Sequence, residues 1–156
     1  MDIKIAYLKD HPEAIATLAK VWHEVLGSIW IPDSSLAQVE QRFHKHLNDK
    51  LLPLTLVALN GTQAIGAVSL RDNDGIRPDL TPWLASLIVD KAHQKCGIGK
   101  MLVDALKEKA KKLGFRKLYL FAFDPVLHRY YEQLGFKIIG MDRYKEHVVT
   151  VMESEL

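Results

Sequence analysis

The chain predicts an α/β fold: a single domain over residues 1–156 on a mixed, mostly antiparallel central sheet of about seven strands, with helices on both faces. Three features of the sequence predict it. Residues 83–114 read as an apolar strand, a glycine turn and an amphipathic helix, and a second apolar strand follows at 117–123. A helix between two such strands implies a right-handed crossover and a parallel pair. Asn60-Gly61 stands between two apolar runs, a strong hairpin signal. After a further helix the chain closes on two more strands, so both ends of the sheet are expected to be antiparallel.

Taken in order, residues 2–8 alternate as a short strand through Ile3, Ile5 and Tyr7. Asp10, with Pro12 in the first turn and Glu13 at the capping-box position, predicts the start of a helix whose buried stripe is Ile15, Leu18, Ala19, Trp22, Val25 and Leu26. Gly27 ends it. A second helix begins after Pro32, around Asp33 to Ser35, with Leu36, Val39, Phe43 and Leu47 on one side. Strands at 53–59 and 63–70 form the hairpin, and Gly66 inside the second implies a bulge or a close approach by another group. A polar loop, 71–79, leads to the central strand at 84–89. The helix after Gly99 has Ile98, Met101, Leu102, Ala105, Leu106, Ala110 and Leu113 on its apolar face and stops at Gly114. Asp124-Pro125 opens a short helix to Leu134, and strands at 136–139 and 147–152 follow.

Composition narrows the function classes. With 156 residues, 48% of them hydrophobic and 26% charged, there is interior enough for one core. A net charge of +2 argues against nucleic acid or a membrane surface as partner. One cysteine excludes an internal disulfide and suits a reducing compartment. No apolar run approaches ~18 residues, and the start, Met1-Asp2-Ile3-Lys4, lacks signal-peptide form, so the expected location is cytoplasmic. The seven histidines are scattered; His44 and His46 lie two apart on a helix and point in different directions, so no metal site is expected.

The strand, glycine turn and helix N-terminus around residue 97 make an anion site, because unpaired N–H groups and the helix dipole point into the turn. Two phosphate loops fail the test. A dinucleotide fingerprint needs glycine at position 102, where Leu102 stands. A P-loop needs glycine at 94 and Ser or Thr at 101, occupied by Gln94 and Met101. Gln94-x-x-Gly97-x-Gly99 instead resembles the pyrophosphate-binding motif of the GNAT superfamily of acetyl-CoA-dependent N-acetyltransferases. A second stretch, Tyr131-Glu132-Gln133-Leu134-Gly135-Phe136, is similar to the Tyr-Glu-x-Leu-Gly-Phe signature those proteins carry at this distance downstream. With the two motifs in the right order within this succession of elements, the resemblance covers essentially the whole chain. Gln94 stands where arginine is common in the motif, and Asp124 where many members have asparagine.

The resemblance implies transfer of an acetyl group from acetyl-CoA to a primary amine, on a small molecule or a peptide. Backbone N–H groups of Gln94, Lys95, Cys96, Gly97, Ile98, Gly99 and Lys100 would wrap the pyrophosphate, with Asp124 and Tyr131 also at the cofactor. The pantetheine arm would pair with the edge of the central strand near Ile88 and Val89, where the parallel pair splays apart. An N–H from Leu87 to Val89 would hold the oxyanion, and Tyr131 would serve the leaving thiolate as catalytic acid. An alkyl amine with pKa near ~10.4 must lose a proton before attack, yet 83–89 contains no carboxylate. Asp72, Asp74, Asp79, Glu24, His23 and a water chain stay open as its acceptor. The three loop aspartates suggest a cationic substrate or mere solvation, and the C-terminal strand a surface for a homodimer. A non-catalytic acyl-CoA-binding sensor or interaction module is the alternative function.

Overall fold

The computed structural model describes residues 2–27 and 33–156. Seven strands form one sheet: β1 Ile3–Tyr7, β2 Leu54–Asn60, β3 Gln63–Arg71, β4 Trp83–Val89, β5 Lys117–Ala122, β6 Lys137–Tyr144 and β7 His147–Glu155, in the order β1-β2-β3-β4-β5-β7-β6. Every neighbouring pair is antiparallel except β4 and β5. Among the described residues four α-helices cover it: α1 Ile15–Trp22, α2 Leu36–His44, α3 Ile98–Lys112 and α4 Pro125–Gln133.

Each face of the sheet carries a core. On one, Leu102, Val103, Leu106 and Ala110 of α3 pack with Leu56, Val68 and Leu84 of the sheet and with Tyr131 and Phe136. On the other, α1 and α2 bury Leu18, Trp22, Val39 and Phe43 against Val57, Ala67 and Ile88. Leu84 and Ile88 thus lie in opposite cores although they are four residues apart on one strand, where a period of two would place them together. The register explains it. Ala67 faces Ile88 and Ser69 faces Ala85, so β4 carries one residue more than β3 over this stretch. That β-bulge contains Ser86 at φ +53°, in the left-handed region.

Several sequence expectations change in detail. Asp10 does not cap α1; the chain enters it through two 3-10 turns, Leu8–Asp10 and Pro12–Ala14, without a side-chain cap. α1 continues as one turn of π-helix, His23–Gly27. Ser35 caps α2 in a reciprocal capping box with Gln38, while Pro32 lies outside the described residues. Leu36 and Met101, read as core, are both exposed. β6 runs to Tyr144, past the expected end at 139; a bulge near Gly140 keeps the ribbon paired. The C-terminal strand is not an edge: β7 is flanked by β5 and β6, so it cannot pair across a dimer, and β6 is the outer strand. Gly66 has both features foreseen for it, a register shift in the β2–β3 ladder beside it and a close neighbour: a Cβ there would lie 2.8 Å from the carbonyl oxygen of Ile88.

Candidate active site

β4 and β5 touch through a single registered pair, Trp83 with Tyr119, beside which the N–H of Tyr119 donates to the carbonyl of Pro82. Beyond that pair the strands separate, earlier along β4 than the sequence suggested. The gap opens into a cavity of about 370 Å³ whose wall includes Ser86, Leu87, Phe121, Asp124 and Tyr131. Trp22, Arg42, Arg71, Asp74 and Tyr144 line the same cavity from the α1–α2 side.

The edge of β4 can be read residue by residue. Asp90 donates its N–H to the carbonyl of Ile65 on β3, and Ile88 is registered against Ala67. Strand groups alternate in direction, so the N–H and C=O of Val89 face away from β3, as do those of Leu87 two residues earlier. The carbonyl of Val89 is indeed reached from that side, by the Gln94 amide at 3.0 Å. Ile88 presents neither side chain nor backbone to the gap: its side chain is only 1% exposed. Leu87 and Val89 are the residues that do.

The glycine turn follows directly. Asp90 accepts from the N–H of Ala92 and starts a 3-10 turn over Lys91–His93. Lys95 and Gly97 both have positive φ, and Gly97 at +82° is the N-cap of α3. It supplies no side chain to cap the helix, so the N–H groups of the first turn are left without a side-chain cap, and a Cβ at Gly97 would meet only open space. Gly99 is required for a different reason: a Cβ there would collide with the hydroxyl of Tyr130 on α4. The side chains of the turn are otherwise engaged. Gln94 holds the end of β4, Lys100 pairs with Asp104 at 2.6 Å, and Ile98 is buried in the core. Lys95 and Cys96 are exposed. An anion here would meet main-chain donors and the positive end of a 15-residue helix.

Tyr131 lies between Tyr130 and Phe136 in edge-to-face contacts. Burial pushes its phenol well above the ordinary value near 10, so it stays protonated at neutral pH. Asp124 caps α4 through the N–H of Val126 at 2.9 Å. Of the five side chains weighed as proton acceptors, Asp72 and Glu24 are exposed and Asp79 is exposed and paired with Arg77. His23 is half-buried on the π turn. Asp74 alone of the five lines the cavity, beside Asp124 as its second carboxylate among the described residues. Its side chain is 14% exposed and accepts from Arg71 at 3.0 Å. Burial outweighs that partner and raises its pKa to about 6.

A second cavity of about 280 Å³ shares Trp22, Arg42, Arg71 and Ser86 with the first and extends beneath α2 to His46. His46, Thr55 and Ser69 form a buried chain there, with contacts of 3.0 and 2.7 Å. Burial first, then Arg71 and Arg42, hold His46 down at about 4, so it is neutral. Trp22 joins both cavities: its indole donates to Ser86 at 3.2 Å and the Arg42 guanidinium lies 4.4 Å from its ring centre. Sequence reasoning missed Ser86, Arg42, Arg71 and Tyr144. Ser86 left a signal, a polar residue in a strand apolar on both faces; the arginines left none.

A sequence profile described as the acetyltransferase (GNAT) family matches residues 15–136. The chain belongs to that family. Its GNAT fold is shared with solved structures at low sequence identity. One is an aminoglycoside 6'-acetyltransferase type Ii, with TM-score 0.74 and 21% identity over 99% of this chain and 97% of that one. Another is the PaiA N-acetyltransferase of Thermoplasma acidophilum in complex with coenzyme A, with TM-score 0.75 and 21% identity over the full length of both chains. A third, an aminoglycoside 6'-N-acetyltransferase complexed with coenzyme A, has TM-score 0.74 and 18% identity, over 99% and 97%. No curated protein matches the sequence. Among the described residues no group of three or more His, Cys, Asp or Glu could hold a metal ion, and no helix is long and apolar enough to cross a membrane.

Proposed function

We propose that this GNAT protein is an acetyl-CoA-dependent N-acetyltransferase that acetylates a primary amine by direct attack. The observation that carries the reading is the continuity of the gap. Leu87 on the β4 edge lines the cavity with Asp74 and Tyr131, and Val89, the next residue facing away from β3, leads into the turn that ends at the uncapped N-terminus of α3, with the Gln94 amide on its carbonyl. The donor's pyrophosphate lies on the N–H groups of residues 94–100, and its pantetheine arm runs along the β4 edge in place of the missing strand. The thioester then reaches the cavity near Ser86.

Asp74 takes the proton of the incoming ammonium, directly or through water; a carboxylate titrating at about 6 is ionised at neutral pH yet basic enough to serve. The amine lone pair adds to the thioester carbon, and the oxyanion accepts from the N–H of Leu87 or Val89. Collapse breaks the C–S bond and releases the thiolate of CoA, and the nitrogen gives its second proton to water to leave the neutral acetamide. Tyr131 donates a hydrogen bond to that thiolate. Full transfer of the Tyr131 proton is uphill, since its pKa is raised far above the ~8.5 of a thiol. The thiolate therefore collects its proton from solvent, and Tyr131 acts as stabilising donor.

The test is acetyl-CoA-dependent thiol release with a panel of amines, amino acids, polyamines, aminoglycosides and N-terminal peptides, each product checked by mass for one added acetyl group. Turnover with any acceptor supports the enzyme. Binding of acetyl-CoA with silence across the panel moves the reading to an acyl-CoA sensor, whose support from the bare β4 strand is weakened by Asp74 in the cavity wall.

A further inference from the structure

The neighbouring folds invite the assumption of a polycationic acceptor, and the loop aspartates, taken by sequence alone, agree with it. Their partners say otherwise. Asp74 is bonded to Arg71 and Asp79 is forked by Arg77 at 3.1 and 3.2 Å, while Asp72 is exposed and outside both cavities. What lines the acceptor side is positive. The cavity beneath α2 is walled by Arg42, Lys45 and Arg71, and none of the described residues lining it is a carboxylate. Counting Asp74 and Asp124 from the adjoining wall, these five groups still sum to +1.

A second observation points to a ligand. Nη2 of Arg42 is buried and has no hydrogen-bond partner. Its guanidinium carbon lies 4.4 Å from the centre of the Trp22 ring, a cation–π contact that favours this placement of the group. A buried donor on a charged group left unpaired is costly, and a guanidinium fork fits a carboxylate edge-on. Asp74 already shows a carboxylate seated on Arg71 at 3.0 Å. Ser86, which both cavities share, lies between this basic wall and the free edge of β4.

We infer that the acceptor is an amine that also carries a carboxylate, of the amino-acid class, whose carboxylate sits on Arg42 with Arg71 and Lys45 nearby while its amine faces Ser86 and Leu87. The inference deepens the proposed N-acetyltransferase reading and names its substrate class. A polyamine would bring positive charge against Arg42 and leave its Nη2 unsatisfied.

The experiment compares each amino acid with its own amide as acceptor, and, separately from turnover, each N-acetyl amino acid with its N-acetyl amide as a calorimetric ligand of the wild-type protein. The acid is expected to exceed the amide in kcat/KM by at least about tenfold for the best side chain, the equivalent of one charge-assisted hydrogen bond. The N-acetyl acid should bind where the N-acetyl amide does not. Arg42→Gln should collapse the acid-to-amide ratio, and Arg42→Lys should restore part of it. Turnover with amines but no acid preference, or preference for polyamines and aminoglycosides, overturns the substrate class and leaves the acetyltransferase standing. No turnover, with carboxylate-dependent binding that Arg42→Gln removes, upholds the anion site and sinks the enzymatic reading. Neither turnover nor carboxylate binding overturns both.

Discussion

The indole N–H of Trp22 donates to the hydroxyl of Ser86 at 3.2 Å, so the end of α1 is tied to a left-handed residue in the bulge of β4. Ser86 holds φ +53° without the freedom of glycine, a conformation that costs an L-residue roughly 1–2 kcal/mol. The bulge matters because it turns Ile88 into the α1–α2 core and leaves Leu87 and Val89 facing the gap.

A reversal of the usual order of strand substitutions follows. Ser86→Ala and Ser86→Gly both remove the acceptor for Trp22, but only glycine relieves the positive φ. In a strand glycine is ordinarily the worse residue; here Ser86→Gly should be more stable than Ser86→Ala by about 1 kcal/mol in denaturant unfolding. The ordinary order would show that the bulge relaxes without strain.

Stability should depend on pH through two opposed groups. Asp74 is raised from 3.8 to about 6, chiefly by burial, so its contribution is fully present below 3.8 and is lost as pH rises through about 6. His46 is lowered from 6.5 to about 4, again chiefly by burial; its contribution is present above 6.5 and is lost as pH falls through about 4. Between those limits the two slopes nearly cancel in the wild type. Asp74→Asn should expose the His46 slope, giving a variant whose stability climbs with pH from about 4 to about 6.5, on the order of 2–3 kcal/mol in all. The same variant should lose the acidic limb near 6 in kcat/KM and most of its turnover. A flat stability profile for Asp74→Asn would contradict the assignment of His46, and a wild-type profile with the same rise would contradict that of Asp74.

Gly99 and Tyr130 form a testable pair. In Gly99→Ala the new methyl meets the Tyr130 hydroxyl and must push that ring aside or shift the turn, weakening acetyl-CoA binding by about tenfold. Without that oxygen the next atom is the ring Cζ at 3.5 Å, an ordinary contact. Gly99→Ala made in Tyr130→Phe should therefore lose most of its penalty, a coupling that a double-mutant cycle reads directly. Additive losses would mean that the close approach plays no part.

Tyr131→Phe separates chemistry from binding. The ring contacts with Tyr130 and Phe136 survive the change, so acetyl-CoA affinity should stay within about twofold while kcat falls on the order of 10- to 100-fold, the loss of one hydrogen bond made to developing charge. A variant with full turnover would reduce Tyr131 to a core aromatic.

Much of the fold was legible because local signals and burial agree. Asn60-Gly61 does close the β2–β3 hairpin, and Leu102, Leu106 and Ala110 are buried at their helical spacing. Gly97 and Gly99 marked the turn through backbone conformation and close approach, requirements that leave a trace in residue type. What escaped depends on tertiary placement. Asp10 has the composition of a cap, yet the chain spends that stretch in 3-10 turns. Leu36 and Met101 fit an apolar stripe yet stay more than a third exposed, because they lie at its margin. Arg42 lies in α2 and Arg71 ends β3, 29 positions apart, and only the packing of α2 on the sheet brings both to one cavity. Asp74 could not be chosen from Asp72 and Asp79 by sequence, because burial separates them and composition does not.

The most direct measurement is a calorimetric titration of the protein with acetyl-CoA, repeated in Gly99→Ala. Saturable binding of one molecule per chain is expected, weakened in the variant. No saturable binding to the wild type would contradict the cofactor turn at 94–100, and with it the acetyl transfer built upon it.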